Sequence, residues 1–184
     1  MLKVINNIPN QIADKVEQWV TGTKIPWFYF STTLTREEKG HEEILPQEFP
    51  ILDSPRLTHY FYPKTKSREE DIKFVYPLIG WVKNNVMPPN YKPLRVMANL
   101  TTQTKNYLIN LPHVDSYDDD KISFLYYVNN SDGCTLFYDK GVEVLRTQPI
   151  KGTGVMFSSN TVHAGQLPVT NNNRYVINMI FGSK

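Results

Sequence analysis

Ile122 to Arg146 reads ISFLYYVNNSDGCTLFYDKGVEVLR, and its punctuation decides the fold class. Three short runs rich in β-branched and aromatic residues, Ile122–Val128, Thr135–Tyr138 and Val142–Arg146, are separated by Asn129-Asn130-Ser131-Asp132-Gly133 and by Lys140-Gly141. Residues of the first kind fill pleated strands; Asn, Asp and Gly supply the backbone conformations of turns. The same texture extends outward. Leu94–Leu100 precedes it, and Gly154–Phe157 and Arg174–Phe181 follow, with turns at Lys151-Gly152 and Asn171-Asn172-Asn173. Many short strands of this kind predict a β-sandwich or barrel.

Upstream of Leu94 the pattern changes. Ile12, Val16, Trp19 and Val20 fall on one helical face, with Gly22 as a stop. Ser67-Arg68-Glu69-Glu70 carries a serine with a glutamate three residues later, a reciprocal capping pattern, and Ile72, Val75, Ile79, Val82 and Val86 continue an apolar stripe. Pro77 falls within that stripe, so the helix either kinks there or divides. The connection Thr32–Lys66 is rich in charge and proline, although Leu57–Phe61 inside it reads as a strand. The chain is thus expected to be a single domain, 1–184. Helices about 1–93 would support a mainly β core about 94–184.

Composition sets further bounds. The chain has 184 residues, 20 basic against 18 acidic side chains, and a net charge of +2. So small a surplus gives no reason to expect nucleic acid or an anionic membrane as partner. Cys134 is the lone cysteine, which excludes an intrachain disulfide and a cysteine zinc cluster. No run approaches the roughly 20 apolar residues of a membrane span, and Met1 to Val20 lacks the apolar core of a signal peptide. A reducing, cytoplasmic setting is expected. Nothing in the sequence speaks to oligomeric state.

His113-Val114-Asp115 spaces two ligand types two residues apart, and on an extended backbone both project from one face. His163, placed in the loop after the strand Gly154–Phe157 and 50 residues beyond His113, is the candidate third ligand. Two imidazoles and one carboxylate on one side of an ion suit non-haem iron(II) and leave positions open for substrate and dioxygen. Zinc is more often closed by a fourth ligand. Arg174 opens a strand of largely apolar residues, and a charge there needs an anionic partner such as a dicarboxylate. One phenol of Tyr126-Tyr127 could point inward to the same anion. Asp118-Asp119-Asp120 lacks the alternation of a calcium loop and is expected to be a solvated turn. His59 is expected to be packed or pocket-lining, His41 exposed, and Cys134 a small buried filler.

Over about Leu94 to Phe181 these residues resemble the prolyl 4-hydroxylase type of 2-oxoglutarate- and iron-dependent oxygenase. His113-Val114-Asp115 is similar to the proximal metal pair of that family. Tyr126-Tyr127-Val128-Asn129 is similar to its Tyr-Tyr-Leu-Asn strand, and Gly133-Cys134-Thr135-Leu136 to the hairpin that follows. Pro149–Phe157 resembles the strand leading to the distal histidine, here His163, and Arg174-Tyr175-Val176-Ile177 the closing strand. The resemblance implies a double-stranded β-helix, a jelly-roll or cupin-like core. It implies Fe(II), 2-oxoglutarate and O2 as cofactor and cosubstrates, with ascorbate in support. Arg174 would anchor 2-oxoglutarate, and Tyr126, with Asn99 on the preceding strand, would contact it. The implied reaction is hydroxylation of a prolyl residue in a peptide, a free amino acid or another small molecule, with release of succinate and CO2. Asn99 stands where many relatives carry a tyrosine, and Leu100–Pro112 and the N-terminal half depart from the family's pattern. Two other classes share parts of the pattern: a zinc isomerase or hydrolase on a similar barrel, and a non-catalytic binding module.

Overall fold

The computed structural model describes residues 1–31, 51–52, 54–63, 70–106, 108–170 and 173–183. His41, Ser67, Arg68, Glu69, Asn171, Asn172 and most of Thr32–Lys66 lie outside them. In chain order the elements are β1 (Leu2–Ile5), α1 (Asn10–Val20), β2 (Phe28–Phe30), β3 (Ile51–Leu52), β4 (Arg56–Tyr62), α2 (Ile72–Asn85), β5 (Tyr91–Thr102), β6 (Ile109–Asn110), β7 (Lys121–Tyr127), β8 (Thr135–Asp139), β9 (Val142–Thr147), β10 (Thr153–Ser158), β11 (Val162–Gly165) and β12 (Asn173–Ser183). All seven strands expected from composition are present within a residue or three of their expected ends. No helix among the described residues is long and apolar enough to cross a membrane.

A seven-stranded sheet in the order β1-β10-β7-β12-β5-β4-β2 faces a three-stranded sheet, β11-β8-β9, with β3 and β6 paired in parallel beside them. The N-terminal half is therefore more than a helical support, because β1, β2 and β4 extend the large sheet at both edges. These strands are short or carry no sustained alternation, which hid β1 and β2 from the pattern.

Strands β5, β7 and β12 form the centre of the large sheet, and their side chains alternate between two faces. One row, Val96 and Ala98, Phe124 and Tyr126, and Ile177, Met179 and Phe181, packs against Val16, Val20, Val75, Leu78 and Val82 of the two helices. Each fully buried large apolar side chain of that layer contributes about 2 kcal/mol. Helix α2 runs continuously through Pro77, so the expected alternative of two shorter helices does not hold. The opposite row, Met97, Asn99 and Thr101, Leu125, and Arg174, Val176 and Asn178, faces a cavity between the sheets. Register aligns it: Asn178 lies between Leu125 and Met97, and Val176 between Tyr127 and Asn99.

Candidate active site

The cavity is closed on its far side by Thr135 of β8 and by His163 and Gly165 of β11. His163 sits in a strand rather than in the expected loop, because β11 pairs with β8 and sets His163 opposite Phe137. His113 is bridged directly to it. The two backbones exchange N–H···O bonds of 2.9 Å in both directions, so their imidazoles lie side by side with ring centres 4.5 Å apart. Asp115 follows, held by its own N–H on the Ser159 carbonyl at 2.9 Å. One ligand atom from each of His113, Asp115 and His163 falls within 4.8 Å of the others.

Each imidazole is fixed from behind. His113 Nδ1 lies 3.1 Å from the Leu111 carbonyl and His163 Nδ1 lies 3.0 Å from the Thr161 carbonyl. A ring that donates Nδ1–H keeps its Nε2 lone pair for a metal. Phe157 meets the His163 ring edge-on at 4.9 Å and limits its rotation. The Asp115 carboxylate accepts from Arg95 Nη2 (3.1 Å), from Ser123 Oγ (2.6 Å) and from Asn178 Nδ2, which reaches both oxygens at 2.9 and 3.1 Å. Burial pushes this carboxyl up, but His163, Arg95, His113 and the Ser123 hydroxyl together hold it below its ordinary value. Among the described residues no fourth histidine, cysteine or acid joins the group. Two nitrogens and one oxygen with the other positions left open match iron(II) better than closed structural zinc.

Arg174 lines the same cavity and is 5% exposed. Its Nε donates to the Gly133 carbonyl and its Nη2 to Thr135 Oγ1, both at 2.7 Å, and no carboxylate among the described residues pairs with it. Burial lowers its proton affinity, yet a guanidinium stays charged at neutral pH. A Cβ on Gly133 would lie 2.5 Å from the Gln166 carbonyl and 3.0 Å from Arg174 Cδ, so only glycine lets the hairpin close under the arginine. A Cβ on Gly165 would stand 3.5 Å from Nη1 and occupy the space before the guanidinium. A buried cation without its anion, facing room kept by a glycine, fits one end of a dicarboxylate.

Asn99 faces the cavity and accepts from Thr58 Oγ1 at 2.8 Å. Tyr126 does not. Strand alternation turns it into the helix-facing layer, where it is fully buried, its hydroxyl has no partner among the described residues, and burial pushes its phenol up. Tyr127 points the other way and joins the arginine network, donating to Thr135 Oγ1 at 2.9 Å. Elsewhere, His59 is packed, with Nδ1 2.8 Å from the Pro26 carbonyl and its ring against Trp19 and Phe61. Cys134 is half-buried rather than buried. Asp118 is exposed and pairs with Lys121, as a solvated turn should. Arg95, Ser123 and Asn178 were not singled out from the sequence, although Arg95 and Asn178 are polar interruptions of apolar strands.

Residues 102–182 match the family model of the 2OG-Fe(II) oxygenase superfamily. Residues 102–182 thus carry the match to a 2-oxoglutarate- and iron(II)-dependent oxygenase domain. The oxygenase is accordingly an enzyme whose class uses Fe(II), 2-oxoglutarate and O2. It is similar to a 2OG-Fe(II) oxygenase family oxidoreductase from Burkholderia pseudomallei, with TM-score 0.64 and 11% identity over 98% of this chain and 85% of that one. A prolyl hydroxylase from Trichoplax adhaerens, solved with a hypoxia inducible factor peptide fragment, gives TM-score 0.63 and 17% identity over 99% and 83%. The alpha-ketoglutarate-dependent epimerase SnoN of nogalamycin biosynthesis gives 0.60 and 9% over 99% and 78%. At such identities the likeness establishes the fold, a double-stranded β-helix. The sequence matches no curated protein.

Proposed function

We propose that the oxygenase hydroxylates a prolyl residue in a peptide or a free amino acid, with Fe(II) held by His113, Asp115 and His163 and 2-oxoglutarate anchored by Arg174. One observation carries this reading: three donor atoms within 4.8 Å of one another share a cavity with a buried arginine that has no carboxylate partner among the described residues. The whole chain, 1–184, would act as one catalytic domain, since strands from both halves share one sheet.

Bound together, the metal and cosubstrate supply dioxygen activation, yielding succinate and CO2 and placing one oxygen atom on the substrate. The protein's own part is orientation and shielding. The Leu111 and Thr161 carbonyls set the two imidazoles, and Arg95, Ser123 and Asn178 set the carboxylate. Arg174, with Thr135 and behind it Tyr127, holds the far carboxylate of the cosubstrate, and Asn99 lies along its path. Met97, Leu125 and Val176 line the cavity with apolar surface that keeps water from the reacting centre. A zinc hydrolase on the same barrel would give Arg174 no anion to hold.

The deciding experiment measures succinate formed from 2-oxoglutarate with Fe(II) and ascorbate, offering proline-containing peptides and free amino acids. Wild-type turnover, its loss in His113→Ala and a raised 2-oxoglutarate requirement in Arg174→Ala would support the assignment. No succinate from the wild type with any substrate class would refute it.

A further inference from the structure

Asp115 is the one anionic member of the metal-ligating trio, and its orientation is over-determined. Asn178 Nδ2 spans both carboxylate oxygens, and Ser123 Oγ holds Oδ2 while lying 2.8 Å from Ser159 Oγ. Those neutral donors alone fix the plane of the carboxylate. Arg95 Nη2, 3.1 Å from Oδ1, adds what they do not: a full positive charge against the only negative ligand, on a side chain 23% exposed beside one 1% exposed. Arg95 comes from the strand whose Met97, Asn99 and Thr101 face the cavity, and Arg56 and Arg174 line that cavity with two further cations.

This arrangement has opposite consequences for the two ligands. A divalent cation on Asp115 would meet a carboxylate already paired with a guanidinium, and Coulomb repulsion at such separations is weakly screened inside a protein. A dianion entering the cavity is attracted by Arg56 and Arg174 on its lining and by Arg95 beside Asp115. Resting on the iron and 2-oxoglutarate reading above, we propose that Arg95 is a positioning residue that sets the charge of the site through Asp115. It lowers affinity for the metal and raises affinity for the dianionic cosubstrate, so that the metal is held firmly only when both are bound.

The test titrates intact wild type, Arg95→Gln, Arg95→Met and Arg95→Lys with Mn2+ under nitrogen, following free Mn2+ by electron paramagnetic resonance. 2-Oxoglutarate is then titrated into each Mn2+-saturated protein by calorimetry, with folding checked by circular dichroism. Removing the charge should tighten Mn2+ binding about tenfold and weaken 2-oxoglutarate binding several-fold. Arg95→Lys should follow the wild type in both. Opposite shifts are the signature, because loss of orientation alone would weaken both ligands together. Parallel weakening in the folded neutral variants, or Mn2+ affinity no tighter than wild type, overturns the proposal. An undiminished Mn2+ affinity in His113→Ala would instead sink the metal-site reading itself.

Discussion

His113 and His163 are 50 residues apart in sequence and exchange both backbone hydrogen bonds, each 2.9 Å. An antiparallel pair bonded in this way puts both side chains on one face at fixed separation. The bridge aligns the two imidazoles before any ion arrives, so the fold carries the cost of assembling the ligands. His113→Ala or His163→Ala should therefore abolish tight Mn2+ binding and lower succinate formation by at least about 100-fold. The melting temperature of the metal-free protein should shift far less, since the backbone bridge survives. Tight Mn2+ binding in either variant, read by electron paramagnetic resonance, would contradict the assignment.

Arg174 donates to the Gly133 carbonyl and the Thr135 hydroxyl and, among the described residues, pairs with no carboxylate. Arg174→Met removes that uncompensated charge, so the cosubstrate-free protein should be as stable as wild type or more so. The same change should raise the KM for 2-oxoglutarate by about 10- to 100-fold while leaving Mn2+ binding intact. Thermal denaturation and steady-state kinetics on one preparation separate these effects.

The adjacent phenols should behave oppositely. Tyr126→Phe removes a buried hydroxyl without a partner and should leave the KM for 2-oxoglutarate within about twofold, with stability unchanged or raised by up to ~1 kcal/mol. Tyr127→Phe breaks the bond to Thr135, the residue that accepts from Arg174. It should cost about 1 kcal/mol of stability and raise that KM several-fold. Equal effects on KM would show that the strand's facing is misassigned.

Gly165→Val would fill the space before the Arg174 guanidinium, where even a Cβ stands 3.5 Å from Nη1. Cosubstrate binding measured by calorimetry should weaken by more than about tenfold, because the carboxylate loses its seat. Mn2+ binding should not change. A variant that binds 2-oxoglutarate normally would place the far carboxylate elsewhere.

Much of this was legible in the residues themselves. Turn composition and β-rich runs marked seven of the strands, because strand and turn preferences are local. The two-residue spacing of His113 and Asp115 and the charge of Arg174 in an apolar strand marked the site. The strand β11 was not legible: Val162–Gly165 is four residues long, and its pairing with β8 is what makes it a strand. The capping pattern at Ser67 lies outside the described residues.

The sequence by itself determined the element types, the ligand kinds and the presence of a cation needing an anion, since each follows from residue chemistry and short-range periodicity. Tertiary structure alone decided which of two neighbouring tyrosines joins the Thr135 and Arg174 network behind the cavity. Strand β7 is buried on both faces, so its apolar run Ile122–Tyr127 carries no alternation to read, and the helices settle which row they cover. It also decided that Arg95, Ser123 and Asn178 close around Asp115. Those contacts join β5, β7 and β12 across register, and register is a property of paired strands that no single strand encodes.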